Sequence, residues 1–203
     1  MAYPSIEQLA NLALIKIGQQ TIPDINGTGH IEEILRLQIP QARRHLLECH
    51  AWNFATARAE LVESTTENIF GYSKRFALPT DYLKLLQVYE DSELYTRIDE
   101  FKIEGRALLT DFGSAWLVYT SDVQNPEDWT PVFVECMVNE LGSRIAEPMG
   151  AGAEKRIELI QELQLLKEKA MLSNAQEANS NENHTLLDRI QRSPLIKQHN
   201  NIY

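Results

Sequence analysis

The sequence predicts an α+β protein: a bundle of about four helices, a small antiparallel β-sheet sub-domain between the second and third helices, and an extended C-terminal arm. Two observations support this prediction. Apolar residues recur at helical spacing toward both ends of the 203-residue chain. Short alternating runs punctuated by glycine and proline occupy its middle. The predicted division is a bundle at 1–56 and 130–178, a β sub-domain at 57–129 and an arm at 179–203.

The first two helices have recognisable signals at their ends. Ser5 and Gln8 have the spacing of a capping box, and Gly18 is a natural C-terminal stop. The stripe between them consists of Ile6, Leu9, Leu12, Ala13, Leu14 and Ile17. A second helical pattern covers about 30–52 and contains Pro40, which predicts a kink or two abutting helices.

The middle of the chain, from about residue 57 to 122, has the pattern of five or six antiparallel strands. Residues 101–106 alternate strictly into a glycine, which predicts a hairpin with one solvated face. Trp52 and Phe54 stand where the helical pattern ends. Large aromatic side chains at such a joint predict the seam between the two sub-domains.

Helical patterns return after the strands. Thr130 as N-cap with Pro131 at the first helical position predicts the start of the third helix. The fourth is predicted at about 153–178, where Lys155 and Glu158 can form an ion pair. Its predicted apolar side consists of Ile157, Ile160, Leu163, Leu166 and Met171.

The last segment, residues 179–203, differs from the rest. It begins with a polar linker and is slightly basic on an otherwise acidic chain. Its apolar residues are Leu186, Leu187, Ile190, Leu195, Ile196, Ile202 and Tyr203. Apolar anchors without a core of their own predict docking onto a partner, and a plain disordered tail is the alternative.

Candidate catalytic and metal-binding residues are few. The sequence has no phosphate loop, Cys-x-x-Cys pair or His-Glu-x-x-His motif, so we expect no cofactor, no metal and no enzyme activity. Cys49 and Cys136 are predicted to be buried free thiols. Cys49 and His50 are adjacent on a helix, where their side chains point about 100° apart, so this pair does not predict a catalytic dyad.

The formal net charge of −10 argues against tight, sequence-independent binding of nucleic acid, which needs clustered lysine and arginine. Residues 1–8 lack the features of a secretory signal, and no window reaches the roughly 18 apolar residues of a membrane span. The sequence therefore predicts a protein made in a cytoplasm and kept there or in something assembled there.

Several strings, taken together, resemble podoviral tail tubular protein A and related head-to-tail connector adaptors. The resemblance covers roughly residues 5–147, with Ala51 where relatives often have proline. The most specific strings are Trp52-Asn53-Phe54-Ala55, Leu78-Pro79-x-Asp81-Tyr82-Leu83 and Gly105-Arg106. Others are Ala13-Leu14-x-x-Ile17-Gly18, Ala42-Arg43 after Pro40, Leu46-Leu47, Arg58-Ala59-Glu60-Leu61, Tyr95 to Ile98, Leu108-Leu109-Thr110 and Leu117-Val118-Tyr119.

The resemblance implies a structural virion protein that is assembled in the host cytoplasm. It implies a homo-oligomeric ring, twelve-fold in the family, that docks under the portal protein and extends the DNA channel. The ring would receive the nozzle protein (tail tubular protein B) and the tail fibres, and genomic DNA would pass without specific binding. It also implies that the C-terminal segment reaches the portal.

Three alternatives remain open at this point. The first is an adaptor-associated peptidoglycan hydrolase that uses a carboxylate pair in the acidic stretch, with Glu93 and Asp99 as candidates. The second is a head-completion adaptor of a long-tailed phage. The third is a host protein that binds a helical partner through its C-terminal tail.

Overall fold

The computed structural model describes residues 4–65, 71–90 and 100–192, with side chains as far as residue 172. Within these ranges the chain is mixed α+β, as predicted, with four α-helices and two small antiparallel sheets. The helices are α1 (Ile6–Lys16), α2 (His30–Cys49), α3 (Pro131–Ile145) and α4 (Gly152–Arg192). The strands are β1 (Thr56–Glu60), β2 (Val62–Glu63), β3 (Lys74–Ala77), β4 (Tyr82–Tyr89), β5 (Lys102–Glu104), β6 (Ala107–Thr110) and β7 (Trp116–Ser121).

The strands form two sheets where the sequence predicted one. The first has the order β1-β7-β4 and the second β2-β3-β6-β5. Leu61 stands between β1 and β2, and its amide donates to the Ala115 carbonyl at 2.9 Å. On one side of it Glu60 pairs with Trp116, and on the other Val62 pairs with Ala77. One extended segment therefore passes from the first sheet to the second.

The N-terminal helix begins and ends as predicted. The Ser5 side chain accepts from the Gln8 amide, the Gln8 side chain accepts from the Ser5 amide, and Gly18 has a φ of 74°. The buried residues of α1 are Leu9, Ala10, Ala13 and Leu14, whereas Leu12 of the predicted stripe is 44% exposed. The buried face of α1 is therefore narrower than the apolar pattern.

Helix α2 is one continuous helix, so of the two alternatives predicted from Pro40, two abutting helices is wrong. The proline lies inside the element, where it removes one backbone hydrogen bond. The helix has a buried apolar face on both sides of it, formed by Leu35, Ile39, Ala42, Leu46 and Leu47. Packing of this face supports the helix across the missing bond.

Helix α4 differs from its prediction in length and in its buried face. It continues to Arg192, fourteen residues beyond the predicted end at 178, because neither glycine nor proline interrupts the chain between Ala153 and Pro194. Residues 179–192 are thus helical instead of a polar linker. The buried residues are Leu159, Leu163, Leu166 and Ala170, whereas Ile157, Ile160 and Met171 are exposed.

The buried side chains form two clusters. The larger joins all four helices and includes Trp52, Trp129 and Phe133. The smaller contains residues of both sheets, among them Phe76, Leu108 and Leu117. None of the helices in the described part of the chain combines the length and apolarity needed to cross a bilayer.

Candidate functional site

A set of hydrogen-bonded polar residues joins α2 to the strands, and we call it the polar junction: Arg43, Arg44, Asp81, Tyr119 and Asp122. The Arg43 guanidinium donates to both carboxylate oxygens of Asp122, Nε at 2.9 Å and Nη2 at 3.1 Å. Arg44 Nε donates to Oδ2 at 3.0 Å. The Arg43 and Asp122 side chains are 8% and 6% exposed, so this two-point ion pair is nearly shielded from solvent.

The charge state of Asp122 follows from these contacts. Burial favours the neutral acid and raises the pKa of the carboxyl, but the hydrogen bonds and charges of Arg43 and Arg44 act in the opposite direction. The two guanidinium groups prevail, so the pKa of Asp122 lies below its ordinary value. Asp122 is therefore held as a carboxylate.

The backbone connects this ion pair to the Leu-Pro-x-Asp-Tyr string. The Asp122 amide donates to the Asp81 carbonyl at 2.8 Å, and the Tyr119 hydroxyl donates to Asp81 Oδ1 at 3.1 Å. Burial and the bond to Asp81 raise the pKa of Tyr119 to about 12. The Tyr82 and Tyr119 rings lie 5.9 Å apart. Asp81 and Tyr82 thus both hold β7.

The predicted glycine hairpin is present, and its turn binds the same string. Gly105 and Arg106 have φ values of 52° and 61°, as a two-residue turn between β5 and β6 requires. Arg106 Nη2 donates to the Pro79 carbonyl at 2.8 Å and to the Thr80 carbonyl at 3.2 Å. The Leu78 amide donates to the Arg106 carbonyl at 3.1 Å. Two strings that are 26 residues apart are therefore joined.

Four aromatic side chains form a second joint, here called the aromatic cluster: Trp52, Phe54, Trp129 and Phe133. The Phe133 ring lies 5.0 Å from Trp52, 5.0 Å from Phe54 and 5.1 Å from Trp129. Both indole nitrogens are satisfied, Trp52 by the Leu46 carbonyl at 2.9 Å and Trp129 by the Val123 carbonyl at 3.0 Å. Trp52 and Phe54, predicted at a seam, pack on α3 within the helical core.

A third constellation was missed at the level of sequence. Cys49 is exposed, contrary to the prediction that it is buried, and its Sγ lies 3.4 Å from His45 Nε2. His45 Nδ1 lies 3.0 Å from Glu140 Oε1, which also accepts from Arg144 Nε at 2.7 Å. The sequence signal that could have revealed this contact is the four-residue spacing of His45 and Cys49, which places both side chains on one helix face. For Cys136 the prediction of a free, buried thiol is confirmed.

The remaining predicted site residues have different positions. Leu186, Leu187 and Ile190 belong to the last turns of α4. Leu195, Ile196, Ile202 and Tyr203 lie outside the described residues, as do Glu93 and Asp99 of the alternative hydrolase site. In the ranges that the structure describes, three or more potential metal ligands do not cluster.

The polar junction is built to hold backbone segments in place. Its two carboxylates, Asp81 and Asp122, each accept from a donor, and both of its arginines donate to the Asp122 carboxylate. A comparison with known protein families finds no matching family, and a comparison with curated proteins finds no matching relative. The residues and their geometry therefore carry the argument about function.

Proposed function

We propose that this chain is a head-to-tail adaptor of a short-tailed bacteriophage, a ring-forming virion protein that docks under the portal. The observation that best supports this proposal is the contact between the Leu78–Leu83 string and the Gly105-Arg106 turn. The Arg106 guanidinium donates to the Pro79 and Thr80 carbonyls. These strings are two of the three most specific strings of the resemblance. Their contact supports the view that they belong to one structural unit.

The arrangement of this unit supports a role in architecture. The finer fold that we propose is a helical bundle with a β sub-domain, built of both sheets, between α2 and α3. The polar junction fixes that sub-domain to α2 through the buried Arg43–Asp122 pair. An adaptor must keep its parts in fixed orientation within a closed ring, and directional ion pairs provide such orientation.

Three further features fit this role. Within the described residues each sheet ends in edge strands, β1 and β4 in the first and β2 and β5 in the second, which offer backbone groups to a neighbouring subunit. Helix α4 has 41 residues, which corresponds to about 60 Å at the α-helical rise. Its last turns carry Leu186, Leu187 and Ile190, the apolar residues that we propose contact a portal. The charge of −10 suits a channel wall along which DNA slides.

Docking through these last turns can be tested with two matched triple variants of the full chain. The first replaces Leu186, Leu187 and Ile190 with alanine, and the control replaces Glu182, His184 and Gln191 with alanine. Alanine preserves helix propensity in both. We expect the first variant to fold normally and bind its cognate portal ring at least about tenfold more weakly, whereas the control binds as the parent does. Equal binding of both variants would contradict docking through this face.

A further inference from the structure

The Cys49–His45–Glu140 constellation provides the elements of an activated thiol. Glu140 is 8% exposed and accepts from Arg144, so the carboxylate is fixed in position. His45 directs Nδ1 to this carboxylate at 3.0 Å, which favours the tautomer with its proton on Nδ1. Nε2 then presents its lone pair to Cys49 Sγ at 3.4 Å. The imidazole is therefore oriented to take the thiol proton.

We propose that Cys49 is a histidine-activated thiol and a site of covalent modification by low-molecular-weight disulfides. His45 Nε2 takes the proton from Sγ, and the thiolate attacks one sulfur of the disulfide. A new S–S bond forms, the original S–S bond breaks, and its electron pair leaves with the departing thiolate. That thiolate takes the proton from the imidazolium, so the products are a mixed disulfide at Cys49 and one free thiol.

The position of Cys49 permits this reaction. The side chain is exposed, and His45 is 47% exposed, so a small disulfide has access to the sulfur. Cys49 is the last residue of α2, and His45 lies one turn before it on the same helix. Proton transfer from Sγ to His45 Nε2 is therefore the step on which the proposed reactivity depends.

The charged groups around the His45–Cys49 pair come from α3, β4, α4 and the connection between α3 and α4. On α3, Glu140 faces His45 directly, and Arg144 reaches it through Glu140. On β4, Lys84 Nζ donates to the Glu48 carbonyl at 2.9 Å, beside Cys49. A cleft of about 570 Å³ borders His45, and its other charged lining residues are Glu147, Arg156 and Lys167. Glu147 and Arg156 form an ion pair with each other at 2.8 Å.

The second cysteine provides an internal control. Cys136 is fully buried, and burial raises the pKa of its thiol to about 11. Incubation of the full chain with oxidised glutathione, followed by peptide mass spectrometry, measures modification at each cysteine separately. We expect Cys49 to form the mixed disulfide while Cys136 of the folded protein remains a thiol.

The pH dependence of modification tests the role of His45. Between pH 8 and 6 an unassisted thiol loses about tenfold in rate per pH unit, whereas Cys49 should lose much less. His45→Gln should lower the Cys49 rate at pH 6.5 by at least about tenfold and leave it unchanged near pH 10. His50→Gln, at the adjacent histidine, should leave the rate at Cys49 unchanged.

Two outcomes would overturn the proposal. One is a tenfold loss of the Cys49 modification rate per pH unit in the parent chain, a measurement that does not depend on the folding of a variant. The other is a His45→Gln profile identical to that of the parent. The proposal is independent of portal binding, so neither result bears on the adaptor function.

Discussion

The aromatic cluster and the polar junction both join helices to strand segments, and they use different chemistry. The aromatic cluster buries Trp52, Trp129 and Phe133 at 2% exposure or less, and each tryptophan makes one directional hydrogen bond. The polar junction buries an arginine and an aspartate and satisfies both through hydrogen bonds.

This difference in chemistry implies different roles, stability for the aromatic cluster and orientation for the polar junction. Burial of large apolar rings is strongly favourable and has weak directional preference. A buried ion pair recovers little more than the cost of its desolvation, yet it requires a defined geometry. We therefore expect the aromatic cluster to contribute most of the stability at the helix–strand boundary and the polar junction to fix the position of β7 and the Leu78–Leu83 string relative to α2.

The largest effect is expected for Trp52→Ala. The substitution removes a ring that is 2% exposed and that contacts Phe54 and Phe133, so it should lower the free energy of unfolding by about 3 to 5 kcal/mol. Urea denaturation followed by circular dichroism measures it. Trp116→Ala, at a half-buried tryptophan of β7, is the matched control and should cost less. A loss under about 1 kcal/mol at Trp52 would contradict the assigned role of the cluster.

The next effect is expected for Arg43→Met. The variant keeps most of the side-chain volume but leaves the buried Asp122 without its two-point partner, which should cost about 3 kcal/mol in the free energy of unfolding. Arg44→Met is the control, because Arg44 contacts the same carboxylate while 50% exposed, and it should cost less than about 1 kcal/mol. Equal losses for the two variants would mean that burial does not distinguish the arginines.

The pH dependence of stability provides a second test of the role of the Asp122 carboxylate. Because the pKa of Asp122 is lowered in the folded protein, its carboxylate contributes stability at pH values above its unfolded pKa. This contribution is lost as pH falls through the lower, folded pKa. Denaturation curves between pH 7 and 3 should show that Asp122→Asn is less stable at neutral pH and less sensitive to acid than the parent. Parallel curves for parent and variant would contradict the assignment.

The smallest effect is expected for Tyr119→Phe. It removes the hydroxyl that donates to Asp81 at 3.1 Å and should lower the free energy of unfolding by about 1 kcal/mol. A double-mutant cycle with Asp81→Ala, which removes the acceptor, isolates the interaction from the effects of each substitution. A coupling energy near zero would indicate that the backbone bond between Asp122 and Asp81 fixes the string without the tyrosine.

The sequence predicted those elements whose signals are local. The capping box at Ser5, the start of α3 at Thr130-Pro131 and the hairpin turn at Gly105 all depend on neighbouring residues, and the structure confirms them. The continuity of α2 through Pro40 depends on tertiary packing, and the sequence left it open between a kinked helix and two abutting helices. The division of the strands into two sheets depends on long-range pairing on either side of Leu61, which local alternation does not encode.

The sites divide in the same way. The strings that carry the family resemblance were found in the sequence, but their contacts through Arg106 could not be inferred from spacing. The Arg43–Asp122 pair joins residues 79 positions apart, and no pattern in the sequence signals it. His45 and Cys49 have helical spacing, which was visible, but the third member, Glu140, comes from another helix.

The most direct test of the central claim is mass photometry of the purified full chain mixed with its cognate portal ring. The account predicts a discrete complex whose mass exceeds that of the portal by a full ring of added 23.2 kDa subunits. The Leu186, Leu187 and Ile190 alanine variant should reduce the population of this complex. Absence of any complex across a range of salt concentrations would contradict the adaptor function.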